Sequence, residues 1–198
     1  HAPGRLAGSL AGPGLSVVLD GDASPLPRLT VQAEGPGQVL PEGPARLLPD
    51  GIVDANAAIR FSPEAIALEG LVANLGSESA RGALTLPREG PVSGTLALAR
   101  VDLRGLLGSA LGAAPAAPGA IWSSSRFGPV AGLGELRLTV SAATLQAWDG
   151  VTLRDAGFML ESGSEGLAVT DLAGSYGGGR VTGRLQMRRE GGLAQLSG

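Results

Sequence analysis

The 198-residue sequence predicts an all-β protein, a curved antiparallel β-meander with one apolar face that forms a groove or half-barrel, and one short helix near 102–111. The main observation is a period of two, because apolar and polar residues alternate along many short segments. The 33 glycines and 14 prolines supply turns between those segments. Since only 3% of the residues are aromatic, Leu, Val, Ile and Ala must form the apolar face.

The strands follow from this alternation. In the segment 53–61, Val53, Ala55, Ala57, Ile59 and Phe61 share one side, and polar residues mostly occupy the other. The pattern recurs with apolar members at Leu15, Val17 and Leu19, at Leu84 and Leu86, at Val92, Leu96 and Leu98, at Leu136, Leu138 and Val140, and at Val181, Leu185 and Met187. Turn signals separate these runs at 20–25, 87–91, 148–150 and 161–166. A meander with one apolar and one polar face is therefore expected.

One segment departs from this period. The stretch VDLRGLLGSALG, 101–112, places leucines at helical spacing, and Asp102 is positioned to cap the start of a short helix. The following AAPAAPG, 113–119, has the composition of a linker. We therefore expect two parts, a β-repeat unit over 1–112 that ends in the helix and a second β-repeat unit over 120–198.

The two parts resemble each other in sequence. With a shift of 101 residues, LVANLGSESARGALTLPREGPV (71–92) matches LAGSYGGGRVTGRLQMRREGGL (172–193) at 7 of 22 positions. The matches include Leu71 with Leu172, Gly82 with Gly183 and Leu84 with Leu185. This similarity predicts two copies of one hairpin unit and a parent protein built as a longer β-array.

The triple glycine at 177–179 admits two interpretations, a phosphate-binding loop or the tip of a β-hairpin. A phosphate loop would require a lysine and a helix that begins at the glycines. Here a strand pattern follows, and the first copy of the repeat lacks the triple glycine. The sequence therefore predicts a tight turn with positive φ at Gly177 or Gly178. Gly82 and Gly183 are predicted to mark a bulge or a close backbone approach.

The residue inventory argues against an enzyme. There is no cysteine, and His1 is the one histidine, so a Ser-His-Asp triad, a Cys nucleophile and a histidine-rich zinc site are excluded. No catalytic residue, cofactor or metal is expected. The carboxylate pairs Glu64 with Glu69, Asp149 with Asp155 and Glu161 with Glu165 fall in or beside turn signals and are interpreted as solvated loop charges. Trp122 and Trp148 are interpreted as packing anchors.

Net charge and hydropathy limit the classes of partner that the chain is expected to bind. A net charge of -3 provides no basic footprint, so nucleic acid is not expected to bind. No apolar stretch reaches the ~18 residues that a membrane-spanning helix needs. The chain starts at His1 without methionine, so we interpret it as a fragment of a longer protein whose membrane anchor lies outside it.

Two stretches carry a family resemblance. The first is IWSSSRFGPVAGLGELRLTVSAATLQAWDGVTLRDAGFMLESGSEGLAVTDLAGSYGGGRVTGRLQM, 121–187, with its Gly-Gly-x-x-x-Gly hairpin. The second, LEGLVANLGSESARGALTLPREGPVSGTLALARVDLRGLL, 68–107, ends in a "DL…LL" phrase. In this order the motifs resemble the C-terminal region of AsmA-family proteins of Gram-negative bacteria. Residues 1–50 match only in being strand-like.

The resemblance implies a noncatalytic protein on the periplasmic side of the inner membrane, anchored by an N-terminal helix outside this chain. Members of the family are associated with outer-membrane assembly. Their relatives of the TamB and YhdP type are pictured as long curved sheets with an apolar groove along which lipid passes. The expected partners are thus phospholipid acyl chains and the inner membrane, and any protein partners in the envelope stay unidentified.

Two arrangements of the apolar face are possible. It can close on itself as a sandwich or barrel, which would make the chain a structural spacer or a protein-interaction domain of the envelope. It can also stay partly open and accept acyl chains, without a fixed site for a headgroup. The acyl-chain face predicted for the second case comprises Leu84, Leu86, Leu96, Leu98, Leu136, Leu138, Val140, Val181, Leu185 and Met187.

Overall fold

The computed structural model describes residues 5–12, 15–22, 28–34, 52–75, 78–111, 135–148, 150–163, 166–190 and 193–197. Seven strands precede a helix, α1 (Leu103–Leu111). They are β1 (Arg5–Gly12), β2 (Leu15–Asp22), β3 (Arg28–Glu34), β4 (Ile52–Phe61), β5 (Ala65–Leu75), β6 (Glu78–Pro87) and β7 (Val92–Asp102). Five strands follow it: β8 (Leu136–Trp148), β9 (Val151–Gly163), β10 (Gly166–Tyr176), β11 (Gly179–Glu190) and β12 (Leu193–Ser197).

The twelve described strands form one sheet in chain order, with β1 and β12 at its two edges, and the sheet does not close into a barrel. The predicted all-β class and the short helix are thus confirmed. The structure adds one parallel pair, β7 with β8, in an otherwise antiparallel order. A parallel pair requires a crossover, and α1 lies in the connection between these two strands. The sheet runs through both sequence parts, whereas the 113–119 segment lies outside the described residues.

The glycine stretch forms the turn of the β10–β11 hairpin. Tyr176 pairs with Gly179, and the two residues between them, Gly177 and Gly178, have φ values of 58° and 83°. Two successive positive φ angles are typical of a type I′ turn, whose twist matches that of the flanking strands. The predicted tight turn is confirmed.

The hairpins β5–β6 and β10–β11 have the same register once the second is shifted by 101 residues. Ala65 pairs with Pro87 as Gly166 pairs with Arg188, and Leu71 pairs with Gly82 as Leu172 pairs with Gly183. The preceding strands continue the match, because the pair Ala58–Glu69 corresponds to the pair Met159–Thr170. The similarity found in the sequence therefore corresponds to a three-stranded unit that occurs twice in the sheet.

Each copy contains a β-bulge at the same point. The register shifts between Leu68 and Leu71 in β5 and between Val169 and Leu172 in β10. Each bulge has one residue in the left-handed region, Gly70 at φ 59° and Asp171 at φ 53°. The extra residue changes the parity of the strand, so that apolar residues three positions apart lie on one face.

The glycines opposite these bulges have different surroundings. A Cβ at Gly82 would overlap the carbonyl oxygen of Thr95 on the neighbouring strand β7. A Cβ at Gly183 would have Leu172 Cδ2 as its nearest neighbour, at 3.9 Å. The predicted close backbone approach is confirmed at Gly82, whereas Gly183 lies opposite a bulge and has room for a side chain.

Helix α1 begins directly after the last residue of β7. Asp102 precedes the helix, and its Oδ2 lies 2.8 Å from the point that a Cβ on Gly105 would occupy. The carboxylate therefore sits over the first turn, where the backbone N–H groups have no partner within the helix. This placement agrees with the N-cap that the sequence predicts.

Removal of this cap should lower the stability of the protein measurably. We expect Asp102→Ala to lower the free energy of unfolding by about 1 kcal/mol, because a side-chain acceptor at the helix start is lost. Asp102→Ser retains an acceptor at the cap position and should lower the free energy of unfolding by only a few tenths of a kcal/mol. Urea denaturation monitored by circular dichroism measures both variants. Equal losses for alanine and serine would show that Asp102 does not act as a cap.

The buried core lies under α1. Leu103 and Leu107 of the helix pack with Leu145 of β8 and Leu153 of β9, and α1 also contacts β7 and β10. Leu107 and Leu145 are 1% and 0% exposed. No polar or charged side chain among the described residues is buried. The core cluster is thus entirely apolar and mostly aliphatic, with Phe158 as its aromatic member.

Candidate functional site

The apolar face of the sheet consists of rows of side chains that run across neighbouring strands. Two rows lie toward the turn that joins β4 to β5. The end row is Phe61, Ile66, Leu86, Val92, Leu136, Ser162, Leu167 and Met187; the second row is Ile59, Leu68, Leu84, Gly94, Leu138, Leu160, Val169 and Leu185. The ladder between β6 and β7 extends to Thr85 opposite Ser93, and one further step of that register places Leu86 opposite Val92.

Two further rows complete this face. The third runs through Leu71, Gly82, Leu96, Val140 and Phe158, with Leu172 and Gly183 beyond; the fourth runs through Ala55, Ala73, Ala80, Leu98, Ala142 and Ala156, with Gly174 and Val181 beyond. Ser162 is the one polar residue in the four rows, and none of them contains a charge. The face is therefore suited to contact with hydrocarbon.

All ten residues of the predicted acyl-chain face lie on this one face. Leu86, Leu136 and Met187 belong to the end row, and the second row contains a further three. Those three are Leu84, Leu138 and Leu185. The third row contains Leu96 and Val140, and the fourth row contains Leu98 and Val181. The alternation of side chains along each strand places them on one face across four strands, β6, β7, β8 and β11.

Burial divides this face into two regions. Over β8–β11 most of the side chains belong to the core or pack against it, and Val140 and Met187 are each 3% exposed, whereas Val181 in the fourth row is 37% exposed. Over β4–β6 the end row is accessible, with Leu86 exposed, whereas Leu84 is half-buried and Ile59 and Ala80 are buried. A ligand would reach Val140 only if the residues packed on it moved. The accessible contact area therefore lies mainly in the end row over β4–β6.

The accessible region contains Phe61 and Ile66, which the predicted set omits, beside Leu86, which it includes. Phe61, Ile66 and Leu86 are 54%, 39% and 37% exposed and lie side by side in the end row. Ile66 and Leu68 were missed because the bulge at 69–70 interrupts the alternation of β5. The signal that would have indicated them is the alternation of small and large apolar residues over 65–68.

The opposite, polar face carries exposed ion pairs. Arg60 Nη2 lies 3.0 Å from Glu69 Oε1, and Arg137 Nε donates to Glu161 Oε1 at 2.7 Å. Glu69, Asp155 and Glu161 lie within strands, so the sequence interpretation of these three as loop charges was wrong. Both pairs join neighbouring strands, and at this exposure each contributes roughly 0–1 kcal/mol.

The described residues contain no cluster of metal-ligating side chains. Among them, no three His, Cys, Asp or Glu side chains come together in a way that could hold a metal ion. Over the same residues, no helix has the length and apolar character needed to cross a bilayer. His1, Trp122 and the side chain of Trp148 lie outside the described part of the structure.

Comparison of the chain with protein-family models, with curated proteins and with solved structures finds no match. The class of the protein is therefore defined by its own architecture. It is an open, mixed β-sheet protein with a continuous apolar face, part of which belongs to a packed core.

Proposed function

We propose that the chain is a noncatalytic module of an AsmA-like envelope protein, on the periplasmic side of the inner membrane, and that phospholipid acyl chains contact its apolar face. The observation that carries the proposal is the accessible part of that face at Phe61, Ile66 and Leu86. These side chains adjoin one another in a sheet that does not close. The envelope location and a role in outer-membrane assembly rest on the resemblance in sequence.

The energetics favour an acyl chain as the occupant. Each methylene group that leaves water for an apolar surface contributes roughly 0.8 kcal/mol. The rows of β4–β7 contain only aliphatic residues, glycine and Phe61, so no buried polar group opposes the transfer. Binding would be nonspecific for chain length because the rows are uniform along the sheet.

A photo-crosslinking experiment tests the proposal in the full-length protein in cells. With a photoreactive residue at Ile66 or Leu86 we expect phospholipid adducts after irradiation. Positions Arg81 and Thr85 serve as matched controls, since both are exposed on the opposite face of β6. Lipid adducts should exceed those at the controls by about tenfold. Equal yields on the two faces would contradict the proposal.

The second candidate is a structural spacer or protein-interaction domain without lipid contact. The burial of Val140 and Met187 favours it, because these two residues of the predicted acyl-chain face belong to the core. In this case the same photoreactive residues at Ile66 and Leu86 would yield protein adducts and no lipid adducts. The crosslinking experiment thus decides between the two candidates.

A further inference from the structure

A pocket of about 510 Å³ lies at the end of the sheet where β8, β9, β10 and β11 begin or end. Leu136, Leu167 and Met187 from the end row of the apolar face line one part of it. The remainder is polar and includes side chains from the opposite face of the same strands. The pocket therefore joins the apolar and polar surfaces at the rim of the sheet.

Four charged residues line this pocket, and their formal charges sum to zero. They are Glu135, Arg137, Glu161 and Arg188. Arg137 and Glu161 form the 2.7 Å ion pair, and Arg188 lies 3.3 Å from the Gln186 side-chain amide, whose oxygen accepts a hydrogen bond from it. Glu135 and Arg188 are exposed. A pocket that presents both signs of charge matches a ligand that itself carries both signs.

The exposed apolar residues lead to this pocket. The end row passes from Phe61 in β4 through Ile66 and Leu86 to Val92 and then Leu136, which lines the pocket. Four strand spacings of about 4.8 Å separate β4 from β8, which gives a distance of about 19 Å. One leaflet of a bilayer has a hydrocarbon thickness of about 15 Å. The row is thus long enough to accompany one acyl chain.

We propose that the rim pocket binds the zwitterionic headgroup of a phospholipid, whose phosphate faces Arg188 and whose ammonium group faces Glu135 and Glu161, while an acyl chain follows the end row toward Phe61. This inference rests on the proposed function and adds a headgroup class to it. It replaces the sequence-based expectation that the groove has no fixed site for a headgroup. The charge-assisted hydrogen bonds would orient the lipid, and the apolar row would supply most of the affinity.

Binding of three soluble amphiphiles tests the headgroup site on the 198-residue chain. They are a short-chain phosphatidylethanolamine, a short-chain phosphatidylglycerol and octyl glucoside, each titrated below its micelle concentration. We expect Arg188→Gln to weaken phosphatidylethanolamine binding about tenfold and to leave octyl glucoside binding unchanged. Glu135→Gln should weaken phosphatidylethanolamine and not phosphatidylglycerol. Arg184→Gln, on the same strand and face but outside the pocket, is the control and should change none of the three.

The outcomes separate this inference from the proposed function. If all three amphiphiles bind and neither Arg188→Gln nor Glu135→Gln discriminates among them, the headgroup site is wrong while acyl-chain contact stands. If phosphatidylglycerol binds more tightly than phosphatidylethanolamine, the zwitterionic assignment is wrong. If none of them binds the unchanged chain, the proposed function fails together with the inference. Circular dichroism of each variant shows that it retains the fold.

Discussion

Gly82→Ala should destabilise the protein by about 3 kcal/mol, the upper end of the cost of overpacking. The physical reason is steric, because the new Cβ would overlap the carbonyl oxygen of Thr95. That oxygen belongs to the backbone of β7, and relief of the overlap would require the two strands to separate. Guanidinium denaturation followed by far-UV circular dichroism measures the loss.

The repeat supplies a matched control for this variant. Gly183 occupies the equivalent position opposite the equivalent bulge, yet a Cβ there would meet only Leu172 Cδ2 at ordinary contact distance. We expect Gly183→Ala to change stability by less than about 1 kcal/mol, and in the stabilising direction, because alanine loses less entropy than glycine in a strand. Equal destabilisation by the two variants would contradict the steric explanation.

Leu145→Ala should lower the free energy of unfolding by about 4 kcal/mol, and the melting temperature by about 10 °C. Leu145 is fully buried beneath α1 with Leu107 and Leu153, so the deletion leaves a cavity that rigid neighbours cannot fill. Differential scanning calorimetry and chemical denaturation both measure the effect.

The same truncation at Leu86 is the control for Leu145→Ala. Leu86 lies on the same face of the sheet but is 37% exposed, so we expect Leu86→Ala to cost about 1 kcal/mol or less. A large difference between the two variants would show that the apolar face serves as a core over β8 and as a surface over β6. Similar costs would mean that Leu86 is also covered, which would favour the spacer function.

Much of the local structure could be predicted from the sequence. The alternation of Leu136, Leu138 and Val140 identifies one face, because successive side chains in a strand must point to opposite sides. Helix α1 follows from the spacing of its leucines, and the Gly177–Gly178 turn follows from the need for two positive φ angles. These features depend on interactions between residues close together in the chain.

In some strands the alternation of the two faces shifts by one residue, and these points could be located only in the folded sheet. Leu68 and Leu71 lie in successive rows of the apolar face although they are three residues apart, and Ala142 and Leu145 are likewise both in the core. In β5 and β10 a bulge produces the shift, and in β9 Asp155 has a φ of 49° where the buried positions change parity. A strict period of two cannot place such residues.

By itself, the sequence determined which residues are apolar, which of them share a face within one strand, and where the chain turns. Only the tertiary structure decided that β7 and β8 pair in parallel, that α1 packs over β8, and that Val140 and Met187 are buried while Ile66 stays accessible. The physical reason is the separation along the chain between the residues that interact. Alternation and turn geometry are properties of a few consecutive residues, whereas the covering of a sheet face depends on contacts between segments far apart in the chain.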